Sequence, residues 1–147
     1  MATTTFSGPI KAGTIREGAS ANLGFVLMAQ SANVVFGANG STTVVATVPA
    51  NSQIYQIAVD VTTAFDAGTT NTFDLGDGTT ADKYADALAV GAQARVLATS
   101  DVSQIGNLID IGSSDVDVTV TYNQTGTAAT AGAATVTVLY LQNNNLS

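Results

Sequence analysis

The chain has no cysteine and no histidine. The first absence excludes disulfides, zinc–thiolate sites and cysteine nucleophiles. The second removes the commonest general base and transition-metal ligand, so no Ser-His-Asp arrangement can be assembled. Tryptophan is absent too, and charge is sparse: 10% of the residues are Asp, Glu, Lys or Arg, against about 25% in ordinary globular domains. Only four residues are basic, Lys11, Arg16, Lys83 and Arg95, against eleven acids, for a net charge of −7. A duplex-binding protein needs clustered Lys and Arg to displace counterions. These four are scattered, so no nucleic-acid partner is expected. No apolar run reaches the ~18–20 residues of a membrane span, and no membrane partner is expected. The stretch Met1-Ala2-Thr3-Thr4-Thr5-Phe6 lacks the basic start and apolar core of a signal peptide. It reads as a chain made in the cytoplasm and left unprocessed.

What remains is Ala, Thr, Gly and β-branched residues in 147 positions, a length that suits one domain of about 100–150 residues. Short apolar or alternating segments recur at roughly the 8–12-residue spacing of sandwiches and barrels. Strands are predicted over 23–30, 34–36, 42–48, 53–62, 71–75, 95–99, 108–111, 115–122 and 134–142. Residues 115–122 show the cleanest alternation, with Val116, Val118 and Val120 directed inward and Asp115, Asp117, Thr119 and Thr121 outward. The one predicted helix is short, over 82–88, with Asp82 as its cap and Tyr84, Ala85 and Leu88 on one face. No βαβ rhythm is present, which excludes a parallel sheet. The pattern predicts an all-β antiparallel β-sandwich, jelly-roll-like by strand count. An immunoglobulin-like sandwich is the alternative, without that fold's disulfide and core tryptophan.

The domain reading is an extended N-terminal arm over 1–21, a sandwich over 22–142 and a polar tail over 143–147. Gly8, Pro9, Gly13 and Gly18 break regular structure in the arm. Phe6, Ile10 and Ile15 are its apolar anchors, and Lys11 and Arg16 are half of all the basic residues. An arm laid on a partner and a first strand with loops of the domain itself both fit this stretch.

Candidate chemistry is thin. Asp74, Asp77, Asp82 and Asp86 surround Gly76-Asp77-Gly78, and calcium takes oxygen ligands from tight glycine-containing loops. The spacing is not that of an EF-hand, and an Asp77-Gly78 turn with Asp82 as a cap explains the same residues. A glycosidase needs two acids across a cleft. The single glutamate, Glu17, sits in the arm, and Asp115 and Asp117 share a strand face. No cofactor is expected and no catalytic residue is assigned. Nine aromatics, mostly within apolar runs, read as core rather than as a sugar-binding row.

The stretches Phe6-Ser7-Gly8-Pro9-Ile10-Lys11-Ala12-Gly13-Thr14-Ile15 and Asn22-Leu23-Gly24-Phe25-Val26-Leu27-Met28-Ala29-Gln30 resemble those of small virion proteins of tailed bacteriophages, particularly phages of aquatic bacteria. So do Val48-Pro49-Ala50-Asn51-Ser52-Gln53-Ile54 and Leu75-Gly76-Asp77-Gly78-Thr79-Thr80-Ala81-Asp82-Lys83-Tyr84-Ala85. The resemblance covers most of the chain and brings no catalytic signature. It implies a decoration (cement) protein on the outer capsid surface, a homotrimer with the major capsid protein as partner. Arms of this kind bind by laying backbone along a sheet edge with alternate side chains in pockets, which makes Phe6, Pro9, Ile10, Lys11, Ile15 and Arg16 the expected partner-binding residues. A tail, neck or head-fibre component and a carbohydrate-binding adhesion module are the other readings.

Overall fold

The computed structural model describes residues 25–108 and 111–143. Eight strands run in order: β1 (Phe25–Val35), β2 (Ser41–Val48), β3 (Ser52–Thr63), β4 (Thr70–Gly76), β5 (Ala85–Ala89), β6 (Arg95–Leu97), β7 (Val116–Thr125) and β8 (Ala133–Asn143). Two single turns of 3₁₀ helix, Ala98–Ser100 and Ile105–Asn107, are the helical elements among the described residues.

The pairing follows one rule. Strand β1 pairs antiparallel with β8, β2 with β7, β3 with β6 and β4 with β5. The first half of the chain therefore runs as a ribbon alongside its own return. Contacts β3–β8 and β4–β7 then roll that ribbon into two sheets, of order β1-β8-β3-β6 and β2-β7-β4-β5. This is jelly-roll topology, as the strand count and alternation led us to expect.

The inward residues of the central strands make the core: Ile54, Ile57, Val59 and Val61 of β3, Val136, Val138 and Tyr140 of β8, Val118, Val120 and Tyr122 of β7, and Phe73 and Leu75 of β4. Phe65 stands between Phe73 and Tyr122, with ring centroids 5.0 and 4.9 Å away. Burying a Phe-sized side chain stabilises by roughly 1.5–3 kcal/mol, so this aromatic group anchors one end of the sandwich. The Tyr122 hydroxyl donates to Asn71 Oδ1 at 2.6 Å, which satisfies a polar group carried into that core.

Four local expectations are corrected. Residues 82–88 do not form a helix. Tyr84 N donates to Leu75 O, Ala85 and Leu88 pair with Leu75 and Phe73, and Ala87 takes φ 51° at the intervening bulge. Residues 23–30 and 34–36 do not make two strands: the described part is the single β1, continuous because Ser31 Oγ meets Thr137 Oγ1 at 2.9 Å and Asn33 Oδ1 accepts from Thr135. Of 108–111, Leu108 and Ile111 lie outside any strand, and 109–110 are not among the described residues. Finally, Thr119 and Thr121 are not solvated, at 4% and 9% exposure. The loop after β4 meets Thr119, to whose Oγ1 Gly78 N donates at 3.2 Å, and Thr42 Oγ1 on β2 reaches Thr121 Oγ1 at 3.0 Å.

Candidate functional site

The predicted partner-binding residues Phe6, Pro9, Ile10, Lys11, Ile15 and Arg16, with the rest of the 1–21 arm, lie outside the described residues. So do residues 144–147 of the predicted tail. Phe25, the first described residue, opens β1, which is an edge strand.

The acidic corner is inside the description, and the carboxylates of Asp74 and Asp77 are spent on the fold. Asp77 Oδ1 accepts from the backbone N–H of Thr79 and Thr80, at 2.9 and 2.8 Å, while Oδ2 meets Lys83 Nζ at 2.8 Å. Desolvation pushes the Asp77 carboxyl up, but Lys83 and the two backbone donors outweigh it and hold the group below its ordinary value. The turn could form only around glycine at position 76, where a Cβ would lie 2.1 Å from Thr80 O. Asp74 Oδ1 accepts from Ala87 N at 2.9 Å, which fixes the left-handed residue of β5.

Asp101 Oδ2 accepts from Asp86 N at 2.9 Å, and Asn107 Nδ2 donates to Lys83 O at 2.8 Å, so the 98–108 segment is tied to the same corner. The Ser103 hydroxyl, foremost, and the Asp86 N–H hold the Asp101 carboxyl low. Asp86 goes the other way: partial desolvation, then the charges of Asp74, Asp82 and Asp101, raise it. Beneath them Tyr84 is buried, and burial with the Asp77 charge nearby pushes its phenol up to about 12. These are Asx-type turns and backbone clamps. Among the described residues, no group of three or more Asp or Glu is placed to hold a metal ion. Asp115 and Asp117 likewise accept from Ala50 N and Thr47 Oγ1.

The aromatic reading divides. Phe65, Phe73, Tyr84, Tyr122 and Tyr140 are buried, whereas Phe36 and Tyr55 are exposed, Tyr55 at 65%. Tyr55 belongs to the one broad surface that sequence reasoning passed over, at the end of the first sheet where β1 begins. There Leu27 pairs with Leu141 and Ala29 with Leu139, opposite the faces of Tyr140 and Val138 that enter the core. A bulge in β3 between Ile54 and Gln56 turns Tyr55 out beside that row. Leu27 is 55% exposed, and Val26 and Met28, on the core side of the same strand, are 42% and 40% exposed. Gln30 marks where the sandwich closes: its Nε2 donates to Thr47 O at 2.7 Å and to the Tyr140 hydroxyl at 3.0 Å, while Oε1 accepts from Thr47 N at 3.1 Å. Beyond that clasp β1 overhangs the second sheet. A signal for it exists in β8, whose outward positions change from Thr135 and Thr137 to Leu139 and Leu141.

No family model matches the chain, and no curated protein matches it. Among solved structures, a chain of the capsid asymmetric unit of cyanophage Pam1 superposes with a TM-score of 0.63 at 17% identity, over 88% of this chain and 95% of that one. The two chains share their fold along almost their full lengths.

Proposed function

We propose that this protein is a structural component of a phage virion, a decoration protein that sits as a homotrimer on the outer capsid surface and holds major capsid protein subunits together. The observation that carries the reading is the whole-length fold match to a chain of the Pam1 capsid asymmetric unit. It joins the resemblance of the sequence to small virion proteins of tailed bacteriophages. The chemistry agrees with a role based on contact area. Asp74, Asp77 and Asp101 are engaged in turns and clamps, and the chain has no histidine or cysteine to supply a base or nucleophile. In this reading the chain is made in the host cytoplasm and attaches to shells through Phe6, Pro9, Ile10, Lys11, Ile15 and Arg16, laid along a strand edge of the major capsid protein.

The test is co-sedimentation of the purified protein with capsids that lack it. Full-length protein should pellet with the shells, and a form without residues 1–18 should stay in the supernatant while retaining its β-sheet circular dichroism. Full-length protein that stays in the supernatant overturns the decoration reading. A truncated form that still pellets overturns the assignment of the arm.

A further inference from the structure

The bare end of the first sheet asks for an occupant. The surface is mainly apolar: exposed Leu27 and Tyr55 and half-buried Leu139 and Leu141 lie on the outer face, with the polar Gln53 opposite Leu141, and Val26 and Met28 are exposed on the other side of β1. Its strand edge is open as well, since among the described residues no strand pairs with the far side of β1. An open, apolar edge of this length is a template for association unless something covers it.

Charge selects the occupant. The chain carries −7, and two copies approaching through most surfaces would bring like charges within the ~8 Å over which salt fails to screen them. The strands of this end are the exception. No charged residue occurs in Phe25–Val35 or Ala133–Asn143, and none occurs in β3 before Asp60. The acids of the described residues lie farther along β3, at Asp60, or off these strands, at Asp66, the 74–86 corner and Asp101; the nearest, Asp115 and Asp117, belong to the second sheet's side and accept from Ala50 N and Thr47 Oγ1. Interface cores are depleted of charge and enriched in aromatic side chains and Met, and this end meets both conditions through Tyr55 and Met28. We infer that this end of the first sheet is the contact between copies of the chain, with Leu27, Leu141 and Tyr55 at its centre. The inference rests on the trimeric reading above and adds to it the face through which the copies meet. It also has a geometric consequence. Phe25, the first described residue, opens β1 at this end, so Phe25 of every copy would lie close to the symmetry axis.

The experiment is light scattering coupled to size exclusion on the full chain and three variants. The wild type should show three times the chain mass. Leu27→Asp combined with Leu141→Asp puts carboxylates into the contact and should give single-chain mass with unchanged far-ultraviolet circular dichroism. Tyr55→Asp alone, at a side chain the core does not use, should shift the mass the same way and keeps the test valid if the double variant fails to fold. Val44→Asp, exposed on the second sheet, should leave the trimer intact. Folded variants that stay trimeric place the contact elsewhere and overturn the inference while the decoration reading stands. A monomeric wild type also overturns it, whether residues 1–24 of the same chain cover the face or nothing does. Capsid co-sedimentation then decides the decoration reading separately.

Discussion

The outer faces of the two sheets are finished in opposite ways. On the β2-β7-β4-β5 sheet the chain covers itself. The 77–84 loop lies over β7, Gly78 N–H satisfies Thr119, and Asp77, Asp74 and Asp101 tie down the backbone that would otherwise be unpaired. On the β1-β8-β3-β6 sheet the far end is left without charge and without cover, and the side chains there grow larger, from Thr to Leu, where solvent would favour the reverse. A buried sheet face and a bare one cost the same backbone to build. Only the bare one leaves apolar area for a second molecule to remove from water. Under the proposal above, the covered sheet serves the stability of the single chain and the bare end serves its assembly.

Two aromatic truncations set the scale of that contrast. Phe73 is fully buried against Phe65 and Tyr122, so Phe73→Ala should lower unfolding free energy by about 3–5 kcal/mol. Tyr55→Ala should change it by less than about 0.5 kcal/mol in protein dilute enough to be monomeric. Urea titrations of both at the same low concentration make the measurement. A Tyr55→Ala loss near that of Phe73→Ala would mean that Tyr55 supports the monomer, and the contrast would collapse.

The same contrast marks how far the sequence could be read. Alternation along 42–48, 53–62, 71–75 and 134–142 located β2, β3, β4 and β8 within a residue or so at each end, because their inward and outward residues differ in kind. The jelly roll followed from strand count. What escaped reading depended on distant partners. Tyr84, Ala85 and Leu88 have helical spacing, yet pairing with Leu75 and Phe73 drew them into β5. Thr119 and Thr121 are polar and alternate with valines, yet both are buried, Thr119 meeting a loop about forty residues earlier in the chain and Thr121 meeting Thr42 on β2. Ser31-Ala32-Asn33 has the composition of a turn, and only the hydroxyl and amide partners on β8 keep it in a strand. The acidic corner was legible as a turn at Asp77-Gly78, whereas the bare sheet end was signalled only by missing charge and by the change from Thr135 and Thr137 to Leu139 and Leu141 in β8.

Gln30 sits on the border between the two regimes. Its amide takes the place of a backbone partner, bonding both the N–H and the carbonyl of Thr47 across the gap between the sheets. At about 0.5–1.5 kcal/mol for each of the two hydrogen bonds to Thr47, Gln30→Ala should cost about 1–3 kcal/mol. Exchange of the Thr47 amide proton should accelerate most, while that of Val59 in the centre of β3 accelerates only by the global loss of stability. Unchanged exchange at Thr47 would show that the sheets close there without the clasp.

The smallest effect comes from the covered side and tests whether its acids are structural. Asp86 has its folded-state pKa raised, by desolvation and by Asp74, Asp82 and Asp101, so the native state binds that proton more tightly than the unfolded chain does. Its charge therefore costs stability above the raised value, and the cost vanishes once pH falls below the unfolded value of about 3.9. Asp86→Asn should raise stability at pH 7 by less than about 0.5 kcal/mol, as expected for an exposed side chain, and the gain should fade to nothing by about pH 3.5. Asp77 has the opposite sign. Held low by Lys83 and the Thr79 and Thr80 amides, it stabilises above about pH 3.9 and loses that contribution as pH falls through its lowered native value. Asp77→Asn should then lower stability at pH 7, by a deficit that shrinks in acid. Denaturation midpoints at four or five pH values between 3 and 7 distinguish the two. If Asp86→Asn and Asp77→Asn shift stability in the same direction at pH 7, the corner is a solvated set of acids, and the cover over the second sheet must be held by its glycine turn and buried Tyr84 alone.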